Sequence, residues 1–185
     1  MYSVQYSQNI ATYIKSFSDQ PWCTQQSNSS VAMSSSSAPV VASSSSAAVT
    51  AEQFVVAINV GGAKTQLNNV EYGADRFFTG GTANTTQAAI AGVTEDTLYQ
   101  SERYGIQKYE VPVTQGTYNI TLHFNENYAT AAAVREFNVS IEGQNRLASL
   151  DIFSLVGGNT AYSVDVDRIP VSDGNLSIAL DAVIF

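Results

Sequence analysis

The sequence predicts an all-β protein built as an antiparallel β-sandwich, and three features of the chain support this fold class. Short segments after Ala51 alternate apolar and polar residues with a period of two. Turn-forming Gly, Asn and Asp residues separate these segments. Helical periodicity is scarce over the same stretch, so the chain lacks the helices that cover a parallel sheet. Two packed sheets, whose strands each have one solvated face, are therefore expected.

Four segments show the alternation most clearly. The first follows a turn at Gly116, and the last follows the turn Ser172-Asp173-Gly174-Asn175. We expect the apolar positions of all four segments to face the core between the sheets. These positions are Tyr118, Ile120, Leu122 and Phe124; Phe137, Val139 and Ile141; Tyr162, Val164 and Val166; and Leu176, Ile178 and Leu180.

Composition divides the chain into three parts. Residues 1–26 contain loosely spaced apolar and aromatic residues that fit either a helical stripe or two short strands. Because Trp22 and Cys23 are unusual in a disordered leader, this part is interpreted as a possible tail of an upstream domain or a leader. Residues 27–52 are rich in Ser and Ala and bury too little apolar surface to fold, which predicts a flexible linker. Residues 53–185 form the predicted domain.

The chain stops on an apolar run, Ala182-Val183-Ile184-Phe185, without a closing turn or polar tail. An exposed, unpaired strand of this kind favours association, so we expect the domain to be truncated at its C-terminus and the fragment to be of marginal stability. The start lacks the basic and apolar regions of a signal peptide, so no export signal is visible.

Charge and residue counts exclude several classes of function. Sixteen acidic and eight basic residues give a net charge of -8 without a basic cluster, which disfavours nucleic acid and anionic membranes as partners. A single cysteine, Cys23, cannot form an internal disulfide. His123 is the sole histidine and no Gly-x-Ser-x-Gly string is present, so a zinc site or a serine triad is not expected. No metal or cofactor is predicted.

Several strings, in this order and spacing, resemble the malectin domain family from about Val55 to the end of the chain. They are Ile58-Asn59-Val60-Gly61-Gly62, Tyr72-Gly73-Ala74-Asp75-Arg76-Phe77-Phe78-Thr79-Gly80-Gly81, Leu98-Tyr99-Gln100-Ser101-Glu102-Arg103-Tyr104-Gly105, Tyr109-Glu110-Val111-Pro112-Val113, Gly116-Thr117-Tyr118, Leu122-His123-Phe124-Asn125-Glu126-Asn127-Tyr128, Phe137-Asn138-Val139, Leu150-Asp151-Ile152-Phe153 and Val171-Ser172-Asp173-Gly174.

The resemblance implies a jelly-roll sandwich of the galactose-binding-like kind that binds gluco- or galacto-configured neutral saccharides without a catalytic residue. It also implies an extracellular, bacterial-type accessory module, because polyserine linkers are similar to those of secreted enzymes that degrade polysaccharides. The expected partners are an oligosaccharide or polysaccharide and a catalytic domain covalently linked in the longer protein. Such a module would hold its enzyme near the substrate by raising effective concentration.

Matching the family's motifs assigns the sugar site to loop tyrosines. Tyrosine suits sugars, because its ring covers the C–H face of a pyranose and its hydroxyl bonds to sugar hydroxyls. Tyr104 and Tyr128 match the family's binding tyrosines. Asn84 and Ala129 fall where the family often has further aromatics, which predicts a shallower or weaker site. Asp181 is the possible counterpart of an aspartate in the family's C-terminal loop.

Other candidate residues are expected to be structural. Tyr99, Tyr118 and Tyr162 fit packing roles, and Arg103 is expected to form an internal ion pair that orders a loop. Clustered acids such as Glu95-Asp96 and Asp165-x-Asp167 could be acid–base pairs or calcium ligands, although turn and cap roles are the default for them. His123 is expected to be an ordinary strand residue, and the glycine pairs at 61–62 and 80–81 to allow tight turns or close backbone contacts.

Two alternatives to the sugar-binding module remain open at this stage. A structural or adhesive spacer would keep the fold without binding sugar, as the residues Asn84 and Ala129 suggest. A glycosidase would need two carboxyl groups facing each other across a cleft. Exposure of Tyr104 and Tyr128 in one concave patch would distinguish a binding module from a spacer.

Overall fold

The computed structural model describes the backbone of residues 9–17 and the chain from residue 53 to residue 184. Cys23, the predicted linker at 27–52 and Phe185 lie outside the described residues. The described chain is almost entirely β-structure, with one five-residue helix, α1 (Ile152–Val156), and a 3-10 turn (Asp96–Leu98). Its strands are β1 (Asn9–Phe17), β2 (Gln53–Asn59), β3 (Thr65–Leu67), β4 (Val70–Ala74), β5 (Phe78–Thr85), β6 (Ser101–Pro112), β7 (Gly116–Asn125), β8 (Glu136–Ile141), β9 (Gln144–Leu150), β10 (Tyr162–Val171) and β11 (Asn175–Ile184).

The strands form two sheets, which confirms the predicted all-β sandwich. Six strands make the first sheet, in the order β10-β7-β1-β2-β4-β3, and five make the second, in the order β5-β6-β11-β8-β9. Neighbouring strands run antiparallel, apart from the parallel pair β2 and β4. The structure thus has the predicted antiparallel character, with one parallel contact that the alternation pattern does not reveal.

The main core lies between the sheets and is built from the alternating positions. Ile120 and Leu122 of β7, Val139 and Ile141 of β8 and Leu176 of β11 are completely buried. Burying one such side chain contributes roughly 1.5–3 kcal/mol, so the alternation itself determines which face of each strand turns inward. Val164 and Tyr162 are only partly buried and pack against the edge of this core.

A second, smaller cluster forms on the opposite face of the six-stranded sheet. Ala57 alternates with the core residue Ile58, so it points away from the main core. It packs with Tyr72 and Tyr99, among other buried residues that include Leu98. This cluster anchors the loop that leads into β6, the strand that carries the candidate site.

The first strand departs from the domain division expected from the sequence. β1 lies third in the six-stranded sheet, between β7 and β2, although residues 1–26 were expected to belong to an upstream domain or leader. Asn9–Phe17 pair with two strands of this domain, a pairing that the sequence analysis did not anticipate. Local periodicity could not show this, since the pairing joins segments that are more than 35 positions apart in sequence.

Two further properties concern the described residues alone. No helix among them is long and apolar enough to cross a membrane. No group of three or more histidine, cysteine, aspartate or glutamate side chains in the described ranges is arranged to hold a metal ion.

Candidate functional site

A concave site lies where β5 and β6 meet the loop after β7. Its cavity has a volume of about 250 Å³. It is smaller than the roughly 300–1,000 Å³ typical of sites that enclose drug-sized ligands, so it suits a small, partly solvated contact. Seven residues line it, and they are Asn84, Thr85, Thr86, Glu102, Tyr104, Asn127 and Tyr128. Three of the four residues that the sequence analysis assigned to sugar binding therefore meet in one place.

Strand β6 brings Glu102 and Tyr104 to the cavity, and its position is set by a close backbone contact. Gly61 has φ +71°, and a Cβ atom there would lie 1.8 Å from the carbonyl oxygen of Glu102. Only glycine tolerates this contact, as the sequence analysis expected for the 61–62 pair. The Glu102 side chain is 2% exposed, and its Oε1 accepts a hydrogen bond of 2.7 Å from Asn84 Nδ2.

Tyr128 forms an exposed aromatic surface at the other side of the cavity, because its ring is 71% exposed. The loop that carries it is anchored by Glu126, whose Oε1 accepts hydrogen bonds of 2.8 Å from the backbone N–H groups of Tyr128 and Ala129. Glu126 also pairs with Arg135 Nη1 through both oxygens, each at 2.9 Å. The Arg135 guanidinium lies 5.2 Å from the centre of the Tyr128 ring, within cation–π range. The backbone of the Tyr128 loop is thus anchored by Glu126, and Arg135 contacts one face of the exposed ring.

Ala129 and Asn84, which stand where the family often has aromatic residues, differ in their burial. Ala129 is 6% exposed, so its side chain is packed inside the loop and does not line the cavity. A large aromatic at this position would have to displace neighbouring atoms, which explains why a small residue fits here. Asn84 is exposed on β5 and replaces a stacking surface by an amide that bonds to Glu102.

Asp181 is not brought to the cavity. It lies on β11, exposed and paired across the sheet with Asn138 of β8, and it is not among the lining residues. The structure therefore gives this carboxylate no contact with the site formed by Asn84, Tyr104 and Tyr128.

Arg103 has the structural role expected from the sequence. Its Nε and Nη2 atoms lie 2.8 and 2.7 Å from Asp75 Oδ2, and its Nη1 donates to the carbonyl of Gly81 at 3.0 Å. The guanidinium also lies 3.5 Å from the centre of the Phe78 ring, so it fastens the edge strand β5 beside the site. Tyr109 donates to Asp75 Oδ1 at 2.7 Å, and burial together with this carboxylate raises the Tyr109 pKa.

His123 has more partners than an ordinary strand residue. Its Nε2 lies 3.0 Å from the hydroxyl of Tyr72, and its Nδ1 lies 2.8 Å from the hydroxyl of Tyr99. Burial lowers the His123 pKa to about 4, while the charge of Asp165 opposes this shift, and burial raises the Tyr99 pKa to about 12. This neutral network joins β4, β7 and the loop before β6, and it lies in the second hydrophobic cluster away from the cavity.

The clustered acids serve as hydrogen-bond acceptors that shape turns and strands. Glu95 Oε2 accepts from the backbone N–H of Asn68 at 3.1 Å, and Asp165 Oδ1 accepts from the Thr121 hydroxyl at 2.6 Å. The Glu95 contact agrees with the default turn role, whereas Asp165 bonds across the paired strands β10 and β7 and has no turn or cap role.

Sequence reasoning missed the two glutamates that build the site. Glu102 precedes Tyr104 by two residues, and Glu126 precedes Tyr128 by two residues. Each acid is almost fully buried, at 2%, which is unusual for an unpartnered glutamate and indicates a fixed structural contact. The repeated spacing, with a glutamate two positions before each tyrosine that lines the cavity, is a signal that could have identified both residues.

Comparison with known proteins identifies the domain. The family model for the malectin domain matches residues 54–184. Mouse malectin is 37% identical over 84 residues, which cover 44% of this chain and 28% of the mouse protein. A kinesin-like protein, KIN-14Q of Arabidopsis thaliana, is 35% identical over 133 residues, covering 70% of this chain and 10% of that protein. The chain therefore spans only a minor part of these relatives.

Solved structures show the same fold at low sequence identity. A β-glucuronidase from Bacteroides uniformis has a TM-score of 0.64 at 22% identity, covering 70% of this chain and 16% of the enzyme chain. The plant receptor-like kinase FER has a TM-score of 0.54 at 20% identity, and the match covers 69% of this chain and 43% of the FER chain. Residues 54–184 thus place this chain in the malectin domain family, whose members are carbohydrate-binding modules.

Proposed function

We propose that this domain binds a neutral, gluco- or galacto-configured saccharide in the cavity between Tyr104 and Tyr128 and performs no chemistry on it. The observation that carries the proposal is the exposed ring of Tyr128, held by Glu126 and Arg135, beside Tyr104 in one concave site. A pyranose stacked on Tyr128 would place its hydroxyls near the polar groups of the opposite wall. Asn84 and Thr86 supply hydrogen-bonding groups there, and Asn127 supplies another beside Tyr128.

The distribution of carboxyl groups supports binding without catalysis. Hydrolysis of a glycosidic bond uses two carboxyl groups about 5–10 Å apart across the scissile bond. Among the residues that line the cavity, Glu102 is the single acid, and its Oε1 accepts a hydrogen bond from Asn84. Glu126, which anchors the loop that carries Tyr128, is paired with Arg135 and does not line the cavity. Neither arrangement resembles an acid–base pair facing a substrate.

The role that we propose for the longer protein is targeting. A binding domain covalently joined to a carbohydrate-active enzyme in a longer protein would keep that enzyme near its substrate. An extracellular, bacterial-type setting is consistent with this role. Two structural neighbours each support one part of this setting: one is a β-glucuronidase from Bacteroides uniformis, and the other is the extracellular domain of ANXUR2 from Arabidopsis thaliana.

Calorimetric titration of neutral gluco- and galacto-oligosaccharides tests the proposal. Saturable binding is expected for the wild-type chain, with a loss of at least about tenfold in affinity for Tyr104→Ala and Tyr128→Ala, equivalent to about 1.4 kcal/mol. Leu155→Ala is the matched control, because Leu155 is also an exposed apolar side chain, at 53%, but does not line the cavity. If no sugar binds while circular dichroism shows a folded chain, the proposal is wrong.

The spacer hypothesis is supported by the two positions that lack aromatics. Ala129 is packed inside the loop, and Asn84 is engaged with Glu102, so the site offers two tyrosines in place of a fuller aromatic cage. A spacer would have no use for an exposed ring held by an ion pair, which is why the binding function is favoured. Absence of binding across the sugar panel would favour the spacer.

A further inference from the structure

The position of β1 is unusual in relation to the domain that it completes. The malectin domain match begins at residue 54, so β1 lies wholly outside it. Even so, β1 is an inner strand of the six-stranded sheet. The domain therefore has a gap between β2 and β7 that is filled by a segment from elsewhere in the chain.

The contacts in this gap are made by backbone groups over the full length of β1. All nine residues of Asn9–Phe17 pair with β7, from Asn9 opposite Asn125 to Phe17 opposite Thr117. Six of them also pair with β2 on the other side. Because backbone pairing and the surrounding core define the gap, any extended strand of suitable sequence and direction can occupy it, as in the addition of a peptide strand to an open sheet edge.

The connection between β1 and β2 is much longer than the geometry needs. Ser16 is paired with Gln53, so the two strands are antiparallel neighbours whose ends lie side by side. A hairpin joining such ends needs two to five residues. The chain provides residues 18–52, which are 35 residues rich in Ser and Ala. At about 3.3–3.6 Å for each residue, 35 residues can extend over roughly 115–125 Å, which is enough for β1 to reach a neighbouring molecule.

From these observations we propose that the gap between β2 and β7 is a strand-accepting site, and that β1 of a second copy of this chain can occupy it. The exchanged state repeats every backbone contact of the unexchanged one, so the two states differ chiefly in the entropy of the linker. Reciprocal exchange gives a closed two-fold dimer, in which the β1 and β2 strands of the two copies run antiparallel.

The linker sets the concentration at which exchange matters. For a connection of a few tens of residues, the effective concentration of β1 at its own gap is taken as on the order of 1 mM. At 10 µM protein, about one molecule in a hundred is then exchanged, whereas at 1 mM the two states are about equally populated. Dense local assembly of the protein would therefore link copies through their sheets, independently of any sugar.

A disulfide engineered into the full chain detects β1 both in its own gap and in the gap of a second copy. Tyr13 and Thr121 are directly paired, at a Cα separation that antiparallel pairs share with disulfides. The test protein carries Tyr13→Cys and Thr121→Cys, with Cys23→Ser to remove the remaining thiol. Its control carries Thr12→Cys with Thr121→Cys, which is one residue out of register and places the thiols on opposite faces. After mild oxidation, the paired variant is expected to cross-link and the control is not.

The cross-linked product is then sized on a non-reducing gel. Covalent dimers are expected to rise from about one in a hundred chains at 10 µM to about half at 1 mM. Equal cross-linking of the paired variant and the control would show that β1 does not occupy the gap. Cross-linked monomers alone at 1 mM would show that β1 fills the gap without exchanging, and either result overturns the proposal.

Deleting residues 18–52 gives an independent test. Joining Phe17 directly to Gln53 leaves a single residue between the paired positions Ser16 and Gln53, which is too few for a turn. β1 then cannot pair with its own β2, and the chain should be a dimer at all measurable concentrations. The matched control joins the same two residues through a four-residue Asn-Gly-containing turn and should be a monomer. Light scattering after size exclusion measures both masses, and a monomeric, folded deletion variant would contradict strand exchange.

Discussion

The network of Tyr72, His123 and Tyr99 predicts a loss of stability in mild acid. Both imidazole nitrogens lie within 3.0 Å of tyrosine hydroxyls, and burial lowers the His123 pKa from 6.5 to about 4. In the unfolded chain His123 binds a proton near pH 6.5, whereas in the folded chain it does so only near pH 4. Between these values the unfolded state holds more protons, so stability falls as the pH falls through this window and is fully present above about pH 6.5.

The size of the effect follows from the width of that window. A difference of about 2.5 pKa units corresponds to about 3 kcal/mol, at 1.36 kcal/mol for each unit. This is a large share of the 5–15 kcal/mol that stabilises an ordinary domain. Urea unfolding followed by circular dichroism at pH 7.5, 6.5, 5.5 and 4.5 measures it.

His123→Gln is the control, because glutamine also offers a donor and an acceptor to the two hydroxyls but does not titrate. Subtracting the change in unfolding free energy of His123→Gln from that of the wild type removes the contribution of carboxylates that titrate in the same pH range. The wild type should lose about 2–3 kcal/mol more than His123→Gln between pH 7.5 and 4.5. Parallel pH profiles for the two proteins would refute the assignment of a buried, neutral imidazole.

Three further predictions concern the residues that shape the site and its neighbouring helix. Gly61→Ala should cost several kcal/mol and lower the melting temperature, because its Cβ atom would lie 1.8 Å from the Glu102 carbonyl oxygen. Arg135→Met should cost about 3–5 kcal/mol in urea unfolding, since it leaves the buried Glu126 carboxylate without its cation, and the double variant with Glu126→Gln should recover part of that loss. Asp151→Ala should lower the free energy of unfolding in urea by about 1 kcal/mol, because its carboxylate caps the N-terminus of α1. An unchanged unfolding midpoint for any of the three variants would contradict the contact that its prediction rests on.

The fold was predictable wherever one face of a strand is buried. The alternation in β7, β8 and β11 identifies those strands, because each buried residue is followed by one that faces outward. Strand β5 has no such signal, since every residue from Phe78 to Thr85 is exposed at the edge of its sheet. β1 was not recognised as part of the domain, because its partners are far away in sequence and local patterns carry no information about such pairing.

The site was predictable as far as the family motifs extend. Tyr104 and Tyr128 come together as the resemblance suggests, and Asn84 joins them because β5 pairs with β6 beside Glu102. Asp181 does not line the cavity, although its strand β11 is the neighbour of β6; it pairs across the sheet with Asn138 of β8. The burial of Ala129 could not be inferred from sequence either, because it depends on how Glu126 folds the loop back on itself.

The central claim is that a saccharide binds between Tyr104 and Tyr128, and chemical-shift mapping of the backbone amides during a titration with a neutral gluco-oligosaccharide tests it most directly. We predict that the largest shifts fall at Asn84, Glu102, Tyr104 and Tyr128, the residues that line the cavity. Shifts that saturate but cluster elsewhere, for example around the depression lined by Leu67 and Val93, would place the sugar at a different site. Spectra that do not change at saturating sugar would contradict the account altogether.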